Sequence, residues 1–174
     1  MDGDDLKLIE PTEALADEYV AYIEEFAGEG QWYLERRDDA RCDFAKFVQA
    51  RRDSAAGRSL KPGRVPRNEY WLVRGRKIVG VVRLGHTLTP ALEDDGGHIG
   101  YEVRPSERGK GNATRMLAMA LDKARERGLE RVLLTCHQSN AASIRVIEKN
   151  GGKRASEGVS KRDGGPIYRY WIEL

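Results

Sequence analysis

The sequence predicts a single mixed α/β domain built around two strands that a crossover helix connects. An apolar stripe with helical spacing covers residues 113–124. It lies between two apolar segments, 98–103 and 131–136, that are typical of strands. A hairpin pattern precedes this unit, and a helix and a strand pair follow it, which is an α/β order. A strand, a helix and a strand in succession favour a parallel pair.

The N-terminal part is predicted to contain a strand and two helices. Leu6–Glu10 is a short strand candidate, and the apolar residues that follow repeat with helical spacing until Gly28. A second helix is predicted over Cys42–Arg52. Residues 51–67 contain two prolines, two glycines and an excess of basic side chains. This composition favours a mobile basic loop.

The remaining elements are separated by glycine, proline and polar turn signals. Glycines flank the long helix of the apolar stripe, and Gly128 is its expected stop. A side chain that can cap a helix opens the next one. The predicted elements are a hairpin of Glu69–Val73 and Ile78–Leu84, a loop over Thr87–Gly97, a helix from Ser139 or Asn140 to Asn150, and two closing strands around Asp163–Gly165, the last over Ile167–Leu174.

Composition predicts a soluble, cytoplasmic protein. The 174 residues are 40% hydrophobic and 33% charged, with a net charge of +2, so no nucleic-acid or membrane partner is expected. The two cysteines have neither zinc spacing nor a disulfide framework, and no metal is expected. The N-terminus is acidic and lacks the apolar core of a signal peptide. No apolar run approaches membrane-spanning length.

The segment 103–113 carries the most specific chemical signal. A strand leads into a loop with glycines at 109 and 111, and the loop leads into the long helix. The first N–H groups of a helix lack partners and carry partial positive charge, so they form an anion site. The segment matches neither the Walker pattern nor GxGxxG, because Arg115 occupies the third glycine position. A strand-to-helix turn that needs glycine only for its geometry is the alternative.

The pattern Arg108-x-x-Gly111-x-Ala113 resembles the (Arg/Gln)-x-x-Gly-x-(Gly/Ala) motif of the GNAT N-acetyltransferase superfamily. Val103 stands where that family has an apolar strand residue whose backbone binds the pantetheine arm. The block that begins at Asn140 is similar to a second family block, in which an Asn contacts the cofactor. The resemblance is strongest over 98–152 and extends weakly over 70–174. The whole pattern looks like that of a bacterial subgroup of the superfamily.

The resemblance implies a single GNAT domain over residues 1–174, with a twisted mixed sheet flanked by helices. Its central parallel strands, 98–103 and 131–136, are expected to splay apart around the cofactor. The implied reaction moves an acetyl group from acetyl-CoA to a primary amine by direct attack in a ternary complex. The implied cofactor-binding residues are Val103, Arg104, Arg108, Gly109, Lys110, Gly111, Asn112, Ala113, Thr114, Asn140 and Ser143.

Candidate catalytic and acceptor residues surround this strand. Glu102 could accept the proton of the amine, or be a solvent-facing strand charge. His98 shares its face by strand alternation and could serve as a base, or be structural. His86 could line the acceptor pocket. Glu29 lies at the end of the first helix, where the family's acceptor site begins; acids there would suit a cationic amine, and a solvated helix end is the alternative.

One departure from the family pattern affects the expected chemistry. Many members have a Tyr acid seven residues after the Asn, and this chain has Ile147 there. A degenerate acyl-CoA-binding sensor is therefore the second hypothesis, and a nucleotide-binding module unrelated to CoA is the third. The acceptor is expected to be a small-molecule or peptide amine. Family precedent also implies a possible homodimer.

Overall fold

The computed structural model describes residues 5–174, and within that range seven strands form two sheets enclosed by helices. The strands are β1 (Leu6–Ile9), β2 (Arg67–Arg74), β3 (Lys77–Gly85), β4 (Ile99–Val103), β5 (Arg131–His137), β6 (Lys153–Val159) and β7 (Pro166–Glu173). The helices are α1 (Ala16–Glu24), α2 (Gln31–Cys42), α3 (Phe44–Ala55), α4 (Pro90–Asp94), α5 (Asn112–Glu126) and α6 (Ala141–Lys149), with 3-10 turns at Glu13–Leu15 and Pro105–Glu107.

The two sheets touch at one close contact. The first has the order β1-β2-β3-β4 and the second β5-β7-β6, and each of these pairings is antiparallel. An isolated bridge joins Gly97 to Leu134, and the His98 N–H donates to the Leu133 carbonyl at 2.7 Å. A Cβ at Gly97 would collide with that carbonyl, and φ is +65° there. Glycine is therefore required where the sheets approach.

The predicted α/β class with flanking helices is confirmed, but the pairing at its centre differs from the expectation. Among the described residues, β4 forms a ladder with β3 alone and β5 with β7 alone. The strands predicted to be a parallel pair therefore belong to separate antiparallel sheets rather than to one mixed sheet. Past the bridge at Gly97 their facing edges have no shared ladder, and this leaves a gap between them.

Two apolar cores lie on opposite faces of the first sheet. One contains the buried stripe of α5, from Met116 to Ala124, packed against both sheets, as the spacing predicts. The other holds the aromatic side chains of α1 and α3 against β2 and β3, with Trp71 fully buried. The sheet is thus sandwiched by helices, and alternate residues of β2, β3 and β4 face opposite layers.

The structure contains a helix that the sequence analysis missed. α2 (Gln31–Cys42) precedes the predicted second helix, which runs over Phe44–Ala55 as α3. Its sequence, QWYLERRDDARC, buries only Ala40 and has no apolar stripe. Hydrophobic periodicity is the main sequence signal for a helix, so a helix that is polar around most of its surface is not predicted from that signal.

Candidate functional site

A cavity of about 220 Å³ occupies the gap between β4 and β5. Ile99, Gly100 and Tyr101 of β4 line one side, and Leu134 and Cys136 of β5 line the other. Side chains from α6, at Asn140, Ser143 and Ile147, close the end of the gap. In the described residues β4 pairs only with β3 and β5 only with β7, so the facing edges of the two strands have no ladder to break when a narrow, extended ligand enters the gap.

The glycine loop lies between the end of β4 and the start of α5. Gly109 and Gly111 have φ of +75° and +78°, and no atom lies within 4 Å of a Cβ built on either. Gly111 is the N-cap of α5 and offers no side chain to cap it. The N–H groups of Asn112, Ala113 and Thr114 therefore open toward space that an anion can fill.

The side chains of two predicted cofactor-binding residues, Arg104 and Asn112, hold this loop in place. The Arg104 guanidinium is buried and forms ion pairs with Glu18 and Glu25. The Asn112 amide is 2% exposed and donates to the Glu107 carbonyl at 3.0 Å. These groups face the protein rather than the open side of the loop. Arg104 and Asn112 therefore leave only backbone groups facing the open side of the loop at their positions.

Arg108 and Lys110 lie on the surface of the loop. Arg108 donates to the Val103 carbonyl at 3.1 Å and forms a two-pronged ion pair with Glu29 at 2.8 and 2.9 Å. Lys110 donates to the Ser106 carbonyl at 2.9 Å. Both are exposed, so an anion could compete for them. Glu29, a candidate acceptor residue, lies beside the glycine loop, where Arg108 pairs with it.

The N-terminus of α6 closes the gap with a connected polar group. The Asn140 Oδ1 accepts from the Ser143 N–H at 3.0 Å and caps the helix. The Ser143 Oγ lies 2.9 Å from the Tyr101 hydroxyl. Burial raises the pKa of Tyr101 to about 12, and it also raises the pKa of the Cys136 thiol. Ile147 is 1% exposed and packs in the core.

A larger cavity, of about 1270 Å³, lies on the opposite face of the first sheet. α2, α3, the loop 56–66 and the turn between β6 and β7 surround it. Five residues line both this cavity and the gap: Gly100 and Tyr101 of β4, Asp95 and Gly96 before it, and Arg162. A Cβ at Gly100 would meet no atom within 4 Å, so the strand is open there. The two cavities therefore meet at the middle of β4.

Glu102 faces this larger cavity. Its carboxylate accepts from Arg83 at 2.8 and 3.2 Å and from the Tyr22 hydroxyl at 3.4 Å. Its side chain is 12% exposed and borders the cavity next to Gly100. A carboxylate in this position can hydrogen-bond an amine or a water at the junction, while Arg83 fixes its orientation.

Below the cavity lies a network of buried charges. Glu69 accepts from Arg36 at 3.0 Å, from Arg83 at 3.1 Å and from the Trp71 indole at 3.1 Å, and Arg51 lies 3.7 Å away. Burial opposes ionisation of Glu69, but the three guanidinium groups outweigh it and hold its pKa well below the usual range. Buried carboxylates are costly unless paired in this way.

The two candidate histidines lie away from the centre of this junction. The His98 Nδ1 accepts from the Leu133 N–H at 2.9 Å, so its ring helps to join the two sheets. The His86 Nε2 lies 2.7 Å from the Asn68 Oδ1, which also accepts from Arg127. That places His86 near the end of α5, outside the lining of either cavity. Burial lowers the pKa of both rings.

Sequence reasoning missed Arg36 and Arg83 of the larger cavity, whereas the other basic residues of its α3 and loop side fall in the segment 51–67, which was predicted to be a basic loop. Arg36 lies on the unpredicted helix α2. Arg83 sits within an apolar strand and meets Glu69 across the ladder. An arginine inside an otherwise apolar strand is the one signal that could have indicated a buried partner. Tyr101 was also missed, because alternation alone does not show that its strand lines a gap.

The part of the chain that the structure describes offers no cluster of three or more His, Cys, Asp or Glu side chains able to hold a metal ion. Over the same residues, no helix combines the length and apolarity needed to cross a membrane.

Comparisons with known proteins give a family and a fold. The family model described as "Acetyltransferase (GNAT) domain" matches residues 5–153. No curated protein matches the chain in sequence.

Solved structures of similar fold share low sequence identity with the chain. RimJ of Mycobacterium smegmatis in complex with CoA-disulfide is 20% identical, with 97% of this chain and 82% of that chain covered and a TM-score of 0.75. Microcin C7 self-immunity acetyltransferase MccE, in complex with acetyl-CoA and AMP, is 16% identical, with 99% and 94% covered and a TM-score of 0.73. RimL, a ribosomal L7/L12 α-N-protein acetyltransferase in complex with coenzyme A, is 16% identical, with 100% and 97% covered and a TM-score of 0.73.

Proposed function

Since the chain belongs to the GNAT acetyltransferase family, we propose that it transfers an acetyl group from acetyl-CoA to a primary amine by direct attack in a ternary complex. The observation that carries this proposal is the meeting of two cavities at Gly100. One cavity occupies the gap between β4 and β5, and the other opens on the opposite face of the sheet. A thioester and an amine that enter from opposite faces can therefore react without exchanging places.

Acetyl-CoA is the co-substrate, and the described residues fit it. The N–H groups at the start of α5, with Gly109 and Gly111, suit the pyrophosphate, because the space above both glycines is open. Arg108 and Lys110 are exposed beside them and can add charge. The gap between β4 and β5 suits the pantetheine arm, and Asn140 and Ser143 are among its lining residues.

The reaction needs a group that accepts the proton of the amine. An alkylamine has a pKa of about 10.4, so at pH 7 only about one molecule in 2,500 is nucleophilic. Glu102 borders the junction and accepts that proton directly or through a water. The carbon–nitrogen bond then forms, and the β4 backbone N–H groups near the thioester stabilise the oxyanion. Collapse breaks the carbon–sulfur bond.

The leaving thiolate takes up a proton at the gap. A thiol has a pKa near 8.5, so the thiolate leaves with little help. Ile147 provides no acid, but the Tyr101 hydroxyl and Ser143 Oγ line the same gap and can pass a proton to sulfur. The family's missing tyrosine is thus compatible with turnover. The acceptor is a small-molecule or peptide amine; RimL, one of the similar structures, acetylates the α-amine of a ribosomal protein.

Ligand-dependent melting tests this function. A ligand at a hundredfold excess over its Kd stabilises the native state by about 2.7 kcal/mol, which raises the Tm of a domain of this size by roughly 5–10 °C. We expect millimolar acetyl-CoA and CoA to give this rise, and ATP and NAD to give little. No rise with acetyl-CoA would refute the proposal. A rise without acetyl transfer to any amine in a broad panel, read by thiol release, would favour the acyl-CoA sensor.

A further inference from the structure

The larger cavity is strongly basic, although the chain as a whole is almost neutral. Nine of its lining side chains are Lys or Arg and four are Asp or Glu, whereas the whole chain carries a net charge of only +2. A local excess of this kind raises the potential inside a concave surface, since low-dielectric walls focus the field. The excess lies where the acceptor is proposed to enter.

The four carboxylates of the cavity are already engaged. Glu69 and Glu102 accept from the arginines beneath the cavity floor. Asp53 accepts from Arg58 at 2.7 Å, and Asp95 accepts from the Ser160 hydroxyl at 3.0 Å and the Lys161 N–H at 2.9 Å. Glu69, Glu102 and Asp53 therefore neutralise arginines of the cavity, whereas Asp95 is held by neutral donors.

Three arginines of the cavity lack such compensation. Among residues 5–174, no carboxylate lies within ion-pair distance of the side chains of Arg64, Arg67 or Arg162. Arg67 begins β2 and is half-buried, and Arg64 is exposed in the loop before it. Arg162 is exposed in the turn between β6 and β7, where it lines the gap as well as the larger cavity. Burial lowers the pKa of Arg67, and the nearby charges of Arg83 and Arg64 lower it further. The arginines therefore repel one another in a partly desolvated place.

We propose that Arg64, Arg67 and Arg162 bind an oxyanion group of the acceptor, a phosphate or a carboxylate, while its amine reaches Glu102 at Gly100. This inference rests on the proposed acetyl transfer and names the chemical class of its substrate. Guanidinium groups hold phosphate and carboxylate oxygens through paired hydrogen bonds, which fixes orientation as well as charge. An oxyanion would also relieve the repulsion among the three arginines.

The same arrangement disfavours the cationic acceptors that the acidic end of α1 suggested. Glu24 pairs with Arg41, Glu25 with Arg104, and Glu29 with Arg108. None of these acids lines the larger cavity. A polyamine would therefore meet arginines instead of carboxylates on its way to the junction.

Anion binding can be measured without turnover. The protein is first saturated with CoA, so that the glycine loop is filled, and inorganic phosphate or acetate is then titrated by calorimetry. We expect phosphate, acetate or both to bind, and the stronger of the two to identify the oxyanion. The double variant Arg64→Ala/Arg162→Ala should bind that anion at least tenfold more weakly. Both side chains are exposed, so this variant should fold.

Matched variants separate a site from a general charge effect. Lys123→Ala/Arg125→Ala removes two charges from the outer face of α5, where each pairs with a neighbouring acid, and should bind as wild type does. Arg67→Gln should also weaken anion binding, because Arg67 is the half-buried member of the three. Absence of anion binding in the CoA-saturated protein, or equal loss in the Lys123→Ala/Arg125→Ala control, would overturn the proposal.

Kinetics distinguish the acceptor from the coenzyme as the source of the anion. With 2-aminoethyl phosphate, glycine and ethanolamine as a panel, the amines with an oxyanion should have the higher kcat/KM. Arg64→Ala/Arg162→Ala should raise their KM about tenfold and leave the KM of acetyl-CoA unchanged. A raised KM for acetyl-CoA alone would assign the arginines to the coenzyme and contradict the proposal. Anion binding with no acetyl-CoA-dependent rise in Tm would instead refute the acetyltransferase function.

Discussion

At the scale of single residues, Gly100 is one of the residues that line both cavities, and it is the one that lies within β4 without a side chain. It lies in the middle of β4, is exposed within a sheet, and has open space where a side chain would stand. Its φ lies outside the left-handed region, so glycine is not required by the backbone there. The absence of a side chain at Gly100 therefore leaves space in the strand and does not serve an unusual backbone conformation.

Gly100→Val should therefore keep the fold and impair the reaction. Valine suits a strand, and its branched side chain would fill the junction where the thioester and amine must meet. A misplacement of about 1 Å can cost roughly 10²-fold in rate, so kcat/KM should fall by that order while the Tm stays close to that of wild type. Gly100→Ala should show a smaller loss. A Gly100→Val enzyme with full activity would show that the reactants meet elsewhere.

Glu102 is the second residue that bears on the chemistry directly. Glu102→Gln should lower kcat by about 10²-fold, because the amide cannot accept the proton of the amine. The Tm rise with acetyl-CoA should be preserved, and a higher pH should partly restore the rate as more amine becomes neutral. The measurement is a pH–rate profile beside that of Glu93→Gln, an exposed control on α4. An unchanged profile for Glu102→Gln would exclude Glu102 as the base.

At the scale of elements, helix α5 has a left-handed glycine at each end. Gly111 precedes it with φ +78° and Gly128 follows it with φ +84°, and neither would bring a Cβ within 4 Å of another atom. The backbone strain of an alanine is therefore similar at the two positions, about 1–2 kcal/mol. Only the N-terminal position borders the proposed pyrophosphate site.

This symmetry provides a matched test of the glycine loop. Gly111→Ala and Gly128→Ala should lower the Tm by similar amounts, and only Gly111→Ala should weaken acetyl-CoA binding, by tenfold or more. The methyl group would stand in the open space beside the first N–H groups of the helix. Calorimetric titration of acetyl-CoA into both variants gives the comparison. Equal affinities would mean that Gly111 serves the turn alone.

At the scale of the whole molecule, Glu107 links the cofactor loop to the hairpin of β2 and β3. Hydrogen bonds from Lys77 above all, and from Lys110 and Arg74, lower the pKa of this buried carboxyl to about 2. A carboxyl with a lowered pKa stabilises the fold above its unfolded pKa of about 4.3, and this contribution is lost as the pH falls toward 2.

The acid sensitivity of the fold should therefore depend on Glu107. The wild-type Tm should fall as the pH is lowered from 6 to 3. Glu107→Gln should have a lower Tm at pH 6 and a shallower fall, because the group that titrates has been removed. Glu126→Gln, on the exposed face of α5, should follow the wild-type curve. Parallel curves for Glu107→Gln and wild type would show that this carboxyl does not contribute to the acid transition.

The sequence by itself determined the elements whose residues form a pattern within one short segment. The apolar stripe of α5, the hairpin of β2 and β3, and the glycine loop each have signals within about 15 residues. The motif from Arg108 to Ala113 was sufficient to indicate the family, which the match over residues 5–153 confirms. The candidate roles of Glu102, Asn140 and Ser143 remain predictions.

Only the tertiary structure shows the larger cavity and the partners of several charged side chains. Helix α2 has no apolar stripe, so its existence depends on packing against α1 and α3 that no local pattern reports. The buried partners of Arg104 and Asn112, Glu18 and Arg74, lie on distant segments that no local pattern indicates, while the roles of both residues as cofactor ligands remain predictions. The basic cavity combines residues from 32 to 162, which are far apart in the chain. Local patterns specify elements, whereas burial and charge pairing depend on which distant segments meet, and the fold alone decides that.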